Sequence, residues 1–321
     1  MLTSSPRPRT LRHQQGLSLV EIMVAMAIGL VVVGAVFTNY LNNAAGSRYA
    51  KAQAEVTGNA SLALGILRNH LAMAGYVNPT TITATGLQGT MKGPSLVACD
   101  NGFTGTTATT AAAYINGTNP EGLSCAAIDA DTPSTPSIMV RYEVDSQSGI
   151  EVTNTATATL APADCSGAAL ADTGGGVFIA ENQFTINAAN GNLPVALGCK
   201  GNGGNANVRL VENISALSLT YGIGNVDATT GKLSYIERYA TAGDVGALNG
   251  TAAATDNWSN VLAVRICVVS QSTDEVLPAA TPYRDCAGNV STPTDRRLYR
   301  AFTSTVLLNN RLNSTSSGSN T

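Results

Sequence analysis

Charged side chains are scarce in this sequence. Asp, Glu, Lys and Arg make up 12% of its 321 residues, aromatic residues make up 5%, and the formal net charge is −3. Intrinsic disorder is favoured by a high net charge and few apolar residues, so this composition predicts a folded chain. Nucleic-acid-binding surfaces need clustered Lys and Arg, which the sequence lacks, so we expect no nucleic-acid partner.

Histidine is also scarce, and this limits the catalytic arrangements that the chain could build. The two histidines are His13 and His70, and there is no G-x-S-x-G motif and no phosphate-binding loop. A Ser-His-Asp triad is therefore disfavoured, because there are few histidines from which to build it. His70 is interpreted as a residue on the polar face of a helix. We predict no enzymatic activity, no catalytic residues and no cofactor.

Two further stretches have simple interpretations. The acidic residues Asp129 and Asp131 could ligate calcium, but surface acids on a loop explain them better, and no metal site is predicted. The segment "GCKGNGGNAN", residues 198–207, is glycine-rich without a strand-to-helix context, and we interpret it as a turn between strands. Trp258 and Tyr299 are expected in the core or at the rim of a sheet.

The cysteines are even in number and contain no C-x-x-C pair. They are Cys99, Cys125, Cys165, Cys199, Cys267 and Cys286. An even count behind a membrane segment indicates disulfides formed in an oxidising compartment; buried free thiols are the alternative. Six cysteines allow 15 connectivities, of which we favour sequential neighbours because each closes a modest loop.

No proline occurs between Arg9 and Pro79, and this stretch includes a long apolar run, Leu17–Phe37. Its 21 residues could span a bilayer as a signal anchor, whereas a cleaved secretory signal would be shorter. A simple anchor leaves Glu21, five residues after Gly16, unexplained, because a charge inside a membrane segment is costly. Cleavage after Gly16 would make Leu17 the new N-terminus, with Glu21 one helical turn away and favoured by the helix dipole.

"GLSLVE" after a short basic leader resembles the class III signal of type IV prepilins and pseudopilins. In that family a prepilin peptidase cuts after the glycine and methylates the new N-terminal amine. The resemblance implies that Gly16 and Leu17 form the cleavage site, that Leu17 is methylated, and that Glu21 acts in assembly. Loss of residues 1–16 removes three arginines, so Lys and Arg fall from 18 to 15 against 21 acids and the net charge becomes −6.

A helix is predicted to continue from the apolar run to about Gly75. Apolar residues at helical spacing, Val56, Ala60, Leu64, Leu67 and Leu71, indicate an amphipathic second half that lies on a globular domain. We expect a bend or local melting near Gly46, a break at Gly75 and a turn at Asn78–Pro79.

Strands follow, with the alternation of a half-buried antiparallel sheet. They are predicted at Ser137–Asp145, Gly176–Ile186, Ile214–Ile223, Asn260–Ser270 and Tyr299–Leu308. The 80–135 region is expected to form loops and short irregular strands held by Cys99 and Cys125.

The predicted fold class is α+β and pilin-like, with a long N-terminal helix packed on an antiparallel sheet domain that carries loop insertions. The predicted organisation is a cleaved leader (1–16), a transmembrane and assembly helix (17–43), an amphipathic half-helix (44–76), a β-rich periplasmic domain (77–310) and a flexible tail (311–321). The stretches "LRNHLAMAGY", "LVENISALSLTYGI", "NWSNVLAVRICVVS" and "LYRAFTSTVLLNN" resemble PilW-type minor pilins.

The resemblance implies a minor pilin of the type IV pilus, processed by prepilin peptidase and placed in a tip or priming complex that supports adhesion or twitching motility. Its implied partners are other minor pilins, the major pilin and a tip adhesin. It implies a single pass through the inner membrane, with a periplasmic domain, followed by export into the pilus. The alternatives are a type II secretion pseudopilin, a DNA-uptake pilin, which the acidic mature chain disfavours, and a membrane-anchored enzyme.

Overall fold

The structure of the chain is a computed structural model. It describes residues 18–77, 81–83, 86–88, 94–104, 124–126, 135–144, 151–154, 157, 159–172, 176–204, 206–227, 229, 233–246 and 257–311. The predicted turn at Asn78–Pro79, the acids Asp129 and Asp131, and residues 312–321 of the predicted tail lie outside this set.

The N-terminal helix is the longest element. α1 runs over Leu19–Met73, and the chain divides into two compact units within it, Met1–Ala50 and Lys51–Thr321. The helix is continuous through Gly46, so the local melting expected there is not present, while a bend at this residue stays a prediction. A single glycine costs about 1 kcal/mol of helix propensity, which the good helix formers around it offset.

Two antiparallel sheets form the β-structure of the second unit. The strands of the five-stranded sheet are β3 Leu96–Cys99, β6 Ser137–Val144, β9 Phe178–Asn187, β10 Ala196–Gly201 and β11 Asn207–Glu212. Those of the four-stranded sheet are β12 Ile214–Val226, β13 Leu233–Ala240, β14 Val261–Glu275 and β17 Arg297–Leu307. The strand order is β11-β10-β9-β6-β3 in the first sheet and β13-β12-β14-β17 in the second.

The remaining secondary structure of the described residues consists of short strand pairs, one short helix and two 3₁₀ turns. Two-stranded pairs are β1 Thr81–Thr83 with β2 Gly86–Gln88, β4 Phe103–Thr104 with β5 Ser124–Cys125, β7 Glu151–Thr153 with β8 Leu160–Pro162, and β15 Tyr283–Arg284 with β16 Val290–Ser291. A short helix, α2, covers Ala242–Gly246, and 3₁₀ turns cover Trp258–Asn260 and Asn309–Arg311.

The second half of α1 shares one core with both sheets, as its periodicity predicts. Its buried residues recur at helical spacing: Ala52, Val56, Ala60, Ala63, Leu67 and Leu71. The last four belong to one apolar cluster with residues of both sheets, such as Phe184 and Val264. Burial of each Leu, Ile, Val or Phe stabilises the fold by about 1.5–3 kcal/mol, so this face holds the helix on the sheets.

The C-terminus of α1 is closed by specific hydrogen bonds. Gly75 has φ +76°, the left-handed conformation in which glycine ends helices, so the predicted break at this residue is confirmed. Its N–H donates to the Arg141 carbonyl on β6 at 3.0 Å. The Asn310 amide donates to the free carbonyls of Ala72, Met73 and Ala74, of which the Ala74 bond is 3.2 Å long.

The five predicted strands are present, with ends shifted by a few residues, and the α+β class is confirmed. Three strands of the two larger sheets were missed, β10, β11 and β13, and so were the short pairs β7–β8 and β15–β16. The segment 198–207 is not only a turn, because Gly198–Gly201 belongs to β10. The prediction of a half-buried sheet holds for β12, where Leu217, Leu219 and Tyr221 are buried, but is wrong for β6, which is buried along its whole length.

Candidate functional site

The first half of α1 carries an apolar surface that is exposed among the described residues. Among its large side chains, Leu19 is 74% exposed, Leu30 is 76% exposed and Leu41 is 49% exposed. Its length and composition are sufficient to cross a membrane, and none of its most apolar 18-residue window is buried. Monomeric soluble proteins rarely expose so large an apolar patch, so this surface is built to contact lipid or other protein chains.

Glu21 is the single charged residue of this apolar surface. Between Arg12 and Arg48 the sequence contains no other Asp, Glu, Lys or Arg, and Glu21 lies in the first turn of α1. The helix macrodipole favours a carboxylate at this end. The arrangement therefore places one negative charge at the N-terminal end of an apolar rod.

The predicted cleavage residues, Gly16 and Leu17, and His13 of the leader lie outside the described residues. Cleavage after Gly16, methylation of Leu17 and a role of Glu21 in assembly accordingly stay predictions.

His70 lies between α1 and the five-stranded sheet, which corrects its interpretation as a residue on the polar face. Its Nδ1 is 2.9 Å from the Tyr142 hydroxyl, which also accepts a 2.9 Å hydrogen bond from the Asn182 amide. Its ring packs 4.9 Å from that of Phe184. Burial lowers the pKa of His70 to about 4 and raises the pKa of the Tyr142 phenol. His70 is thus neutral at pH 7 and links the helix to β6 and β9.

This burial predicts a pH dependence of stability. The pKa of His70 is near 6.5 in the unfolded chain and about 4 in the folded chain. Between pH 6.5 and pH 4 the unfolded chain therefore binds a proton that the folded chain does not bind. The free energy of unfolding consequently decreases as the pH falls through this range. We expect the wild type to lose about 2 kcal/mol more unfolding free energy from pH 7 to pH 5 than His70→Gln. Urea unfolding of the full chain in detergent micelles measures both losses, and equal losses would refute the burial argument.

A buried ion pair lies on the opposite face of the same strands. The Arg141 guanidinium donates to one carboxylate oxygen of Glu181 from Nη2 at 2.8 Å and from Nε at 3.3 Å, and both side chains are fully buried. Burial raises the pKa of Glu181, while the adjacent Arg141 charge lowers it. The Glu181 backbone N–H donates to Asn202, whose amide donates to the Ile179 carbonyl.

The six cysteines are paired as sequential neighbours, the favoured pattern. The Cα–Cα distances are 5.3 Å for Cys99–Cys125, 6.2 Å for Cys165–Cys199 and 5.7 Å for Cys267–Cys286, all within the usual range. Each bond closes a loop of fewer than 40 residues and ties a connecting segment to a sheet. This pattern fits an oxidising compartment.

The described residues contain no group of three or more His, Cys, Asp or Glu placed to hold a metal ion. Trp258 is buried edge-on against Tyr221, and Tyr299 stacks on Tyr283 at the rim, as expected.

Sequence reasoning missed two polar groups, the His70–Tyr142–Asn182 cluster and the Arg141–Glu181 pair. Their members come from separate elements, up to 112 residues apart for His70 and Asn182. The only local signal was the presence of Arg141 and Glu143 within the apolar strand "SIMVRYEV".

Comparison with known proteins gives two family matches. Residues 183–310 match the family model of type IV pilus-assembly protein W, and residues 11–37 match the prokaryotic N-terminal methylation motif. Among solved structures, a type IV-like pilin from Thermus thermophilus is similar at 11% identity and TM-score 0.32, covering 79% of this chain and 97% of that chain. The search of curated proteins found no match.

The two family matches confirm the resemblance to a class III prepilin of PilW type. The methylation motif spans Gly16, Leu17 and Glu21, and the region matched to the pilus-assembly family contains the C-terminal part of β9 and all strands from β10 to β17.

Proposed function

We propose that this chain, which carries the prokaryotic N-terminal methylation motif and a domain of the PilW family of type IV pilus-assembly proteins, is a minor pilin. It is made with a leader that prepilin peptidase removes after Gly16, with methylation of Leu17. The apolar helix then holds it in the inner membrane with its sheet domain in the periplasm. From there it enters the pilus in a tip or priming complex, beside other minor pilins, the major pilin and a tip adhesin.

The observation that carries this proposal is the exposed apolar half of α1 with Glu21 in its first turn. A surface of this kind needs lipid around it in the membrane and apolar helices around it in a filament. A simple membrane anchor does not require a carboxylate there, whereas assembly with neighbouring N-termini gives it a partner.

A type II secretion pseudopilin is the second candidate, because it would use the same anchor. The match of residues 183–310 to a pilus-assembly family favours the pilus. DNA uptake is disfavoured by the net charge of −6 that remains after removal of the leader. A membrane-anchored enzyme is disfavoured because the described histidine, His70, is half-buried, lies within hydrogen-bond distance of the Tyr142 hydroxyl and has a pKa lowered to about 4.

Intact-mass measurement of the chain recovered from sheared filaments tests the proposal. We expect a mass that lacks residues 1–16, carries one added methyl group and shows six oxidised thiols. A gene deletion should reduce surface pili and leave type II secretion unchanged. Loss of secretion with normal piliation would favour the pseudopilin, and an uncut precursor in filaments would contradict processing.

A further inference from the structure

A polar cavity lies on the face of the five-stranded sheet opposite α1. Its volume is about 450 Å³, within the range of roughly 300–1,000 Å³ that small-molecule sites occupy. Tyr142 and Asn182 point to the helix side, and because strand side chains alternate, Gln183 points to the other side. The residues used below are Phe103, Ser137, Gln183, Asn187, Lys200 and Asn207, all of which line the cavity.

Two buried polar groups line the cavity and have no hydrogen-bond partner among the described residues. Ser137 is 3% exposed and Gln183 is 8% exposed, and neither the Ser137 hydroxyl nor the Gln183 Nε2 is hydrogen-bonded within the part of the chain that the structure describes. Buried polar atoms in native proteins are nearly always bonded to protein, water or ligand. A ligand that offers an acceptor to Nε2 and a hydroxyl to the Ser137 oxygen would satisfy both.

The side-chain amides of Asn187 and Asn207 also line the cavity, and the absence of a side chain at Gly198 leaves room for them. Asn187 and Asn207 donate to each other across β10, at 3.1 Å and 2.8 Å. At Gly198, on β10 between them, a Cβ atom would lie 2.3 Å from the Asn187 amide nitrogen. Any larger residue there would displace the pair, so the amides are held in place at the cavity.

Lys200 gives the cavity a positive charge. It is the cross-strand neighbour of Gln183 on β9 and of Asn207 on β11, and it forms no ion pair with a described residue. The described lining contains no Asp or Glu, which disfavours a cation as the ligand. Phe103 adds an apolar surface to the lining.

We propose that this cavity binds an acidic saccharide. Amides and hydroxyls offer the mixed donors and acceptors that a polyhydroxylated ring requires, and Phe103 can pack against the apolar face of such a ring. The Lys200 ammonium then pairs with the carboxylate of the sugar through a charge-assisted hydrogen bond. This proposal is independent of the proposed role in the pilus.

Binding is tested on the full processed chain in a detergent that has no sugar headgroup. The probes are digalacturonic acid, the neutral disaccharide of galactose and a tri-aspartate peptide, each titrated by calorimetry. We expect digalacturonic acid to bind at least tenfold more tightly than the other two. No binding of either sugar, or equally tight binding of tri-aspartate, would overturn the proposal.

Two variants locate the site. Lys200→Ala should weaken digalacturonic acid at least tenfold and leave the neutral sugar within twofold, whereas Lys51→Ala, the same change of charge on an exposed part of α1, should leave both unchanged. Gln183→Met keeps the length and approximate volume of the side chain and should weaken both sugars, with the thermal unfolding midpoint showing that the variant is folded. If Lys200→Ala binds digalacturonic acid as the wild type does, the assignment is wrong.

Discussion

Replacement of Arg141 by Met is expected to destabilise the folded chain by about 3–5 kcal/mol at pH 7, because the substitution leaves the Glu181 carboxylate buried without its counter-charge. Both side chains are fully buried and only 2.8 Å apart, so solvent cannot replace the lost partner. The midpoint of urea unfolding of the full chain in micelles measures the effect.

The pH dependence of this variant has a definite sign. Burial raises the pKa of Glu181, and without Arg141 the opposing effect of the positive charge is gone. The folded state then takes up a proton, and the cost of the substitution grows as pH rises above the unfolded value of 4.5. Arg141→Met should therefore be less destabilising at pH 5 than at pH 7.

Two controls separate the buried pair from a simple loss of arginine. The double variant Arg141→Met with Glu181→Leu should recover most of the stability, since apolar replacement of a whole buried pair is often neutral. Arg296→Met breaks an exposed pair with Glu275 and should cost about 0–1 kcal/mol. If Arg141→Met is as stable as Arg296→Met, the buried pair is not needed for the stability of the fold.

The Arg141–Glu181 pair could not be predicted from the sequence. Alternation along β6 assigned Val140, Tyr142 and Val144 to the core and the residues between them to solvent. Whether the second face of a sheet is covered depends on segments that are distant in the sequence. The alternation of apolar and polar residues along one strand carries no information about those segments. Arg141 and Glu181 are 40 residues apart and meet only because β6 and β9 pair with Arg141 opposite Glu181.

The helix was predictable because its signal is local. Apolar residues at spacings of three and four fixed the face that carries Val56, Ala60 and Leu67, and Gly75 marked its end. Strand β10 was missed because Gly198 and Gly201 are typical of turns, although here they admit the side chains of Asn187 and Asp164. The polar cavity was missed because its residues come from several strands and one hairpin.

Glu21 was found from the sequence because a charge in an apolar run is conspicuous without any tertiary information. The structure adds that it lies in the first turn of α1, on a segment whose apolar side chains are exposed. In the membrane, water and the basic leader near this end limit the cost of the charge. If the chain is processed and assembled as proposed, neighbouring helices replace this water in the filament. The carboxylate would then need a partner, and the α-amine of Leu17, within the chain or from an adjacent subunit, would be that partner.

We therefore expect Glu21→Ala and the isosteric Glu21→Gln to be exported, cleaved and stable in the membrane, yet recovered in sheared filaments at least about tenfold less than the wild type. Loss of one member of a buried ion pair costs about 3–5 kcal/mol, which is ample for this reduction. Glu21→Asp, which keeps the charge on a shorter side chain, should restore incorporation in part. Immunoblots of the filament and membrane fractions measure the distribution.

Two further variants distinguish assembly from processing and from general charge effects. Gly16→Val should block cleavage and accumulate as uncut precursor in the membrane, since a small residue lets the peptidase approach the backbone closely. Glu151→Gln removes one negative charge from an exposed strand and should enter filaments normally. If Glu21→Gln enters filaments as well as Glu151→Gln does, the carboxylate does not pair during assembly; if Glu21→Gln remains uncut, its defect lies in processing.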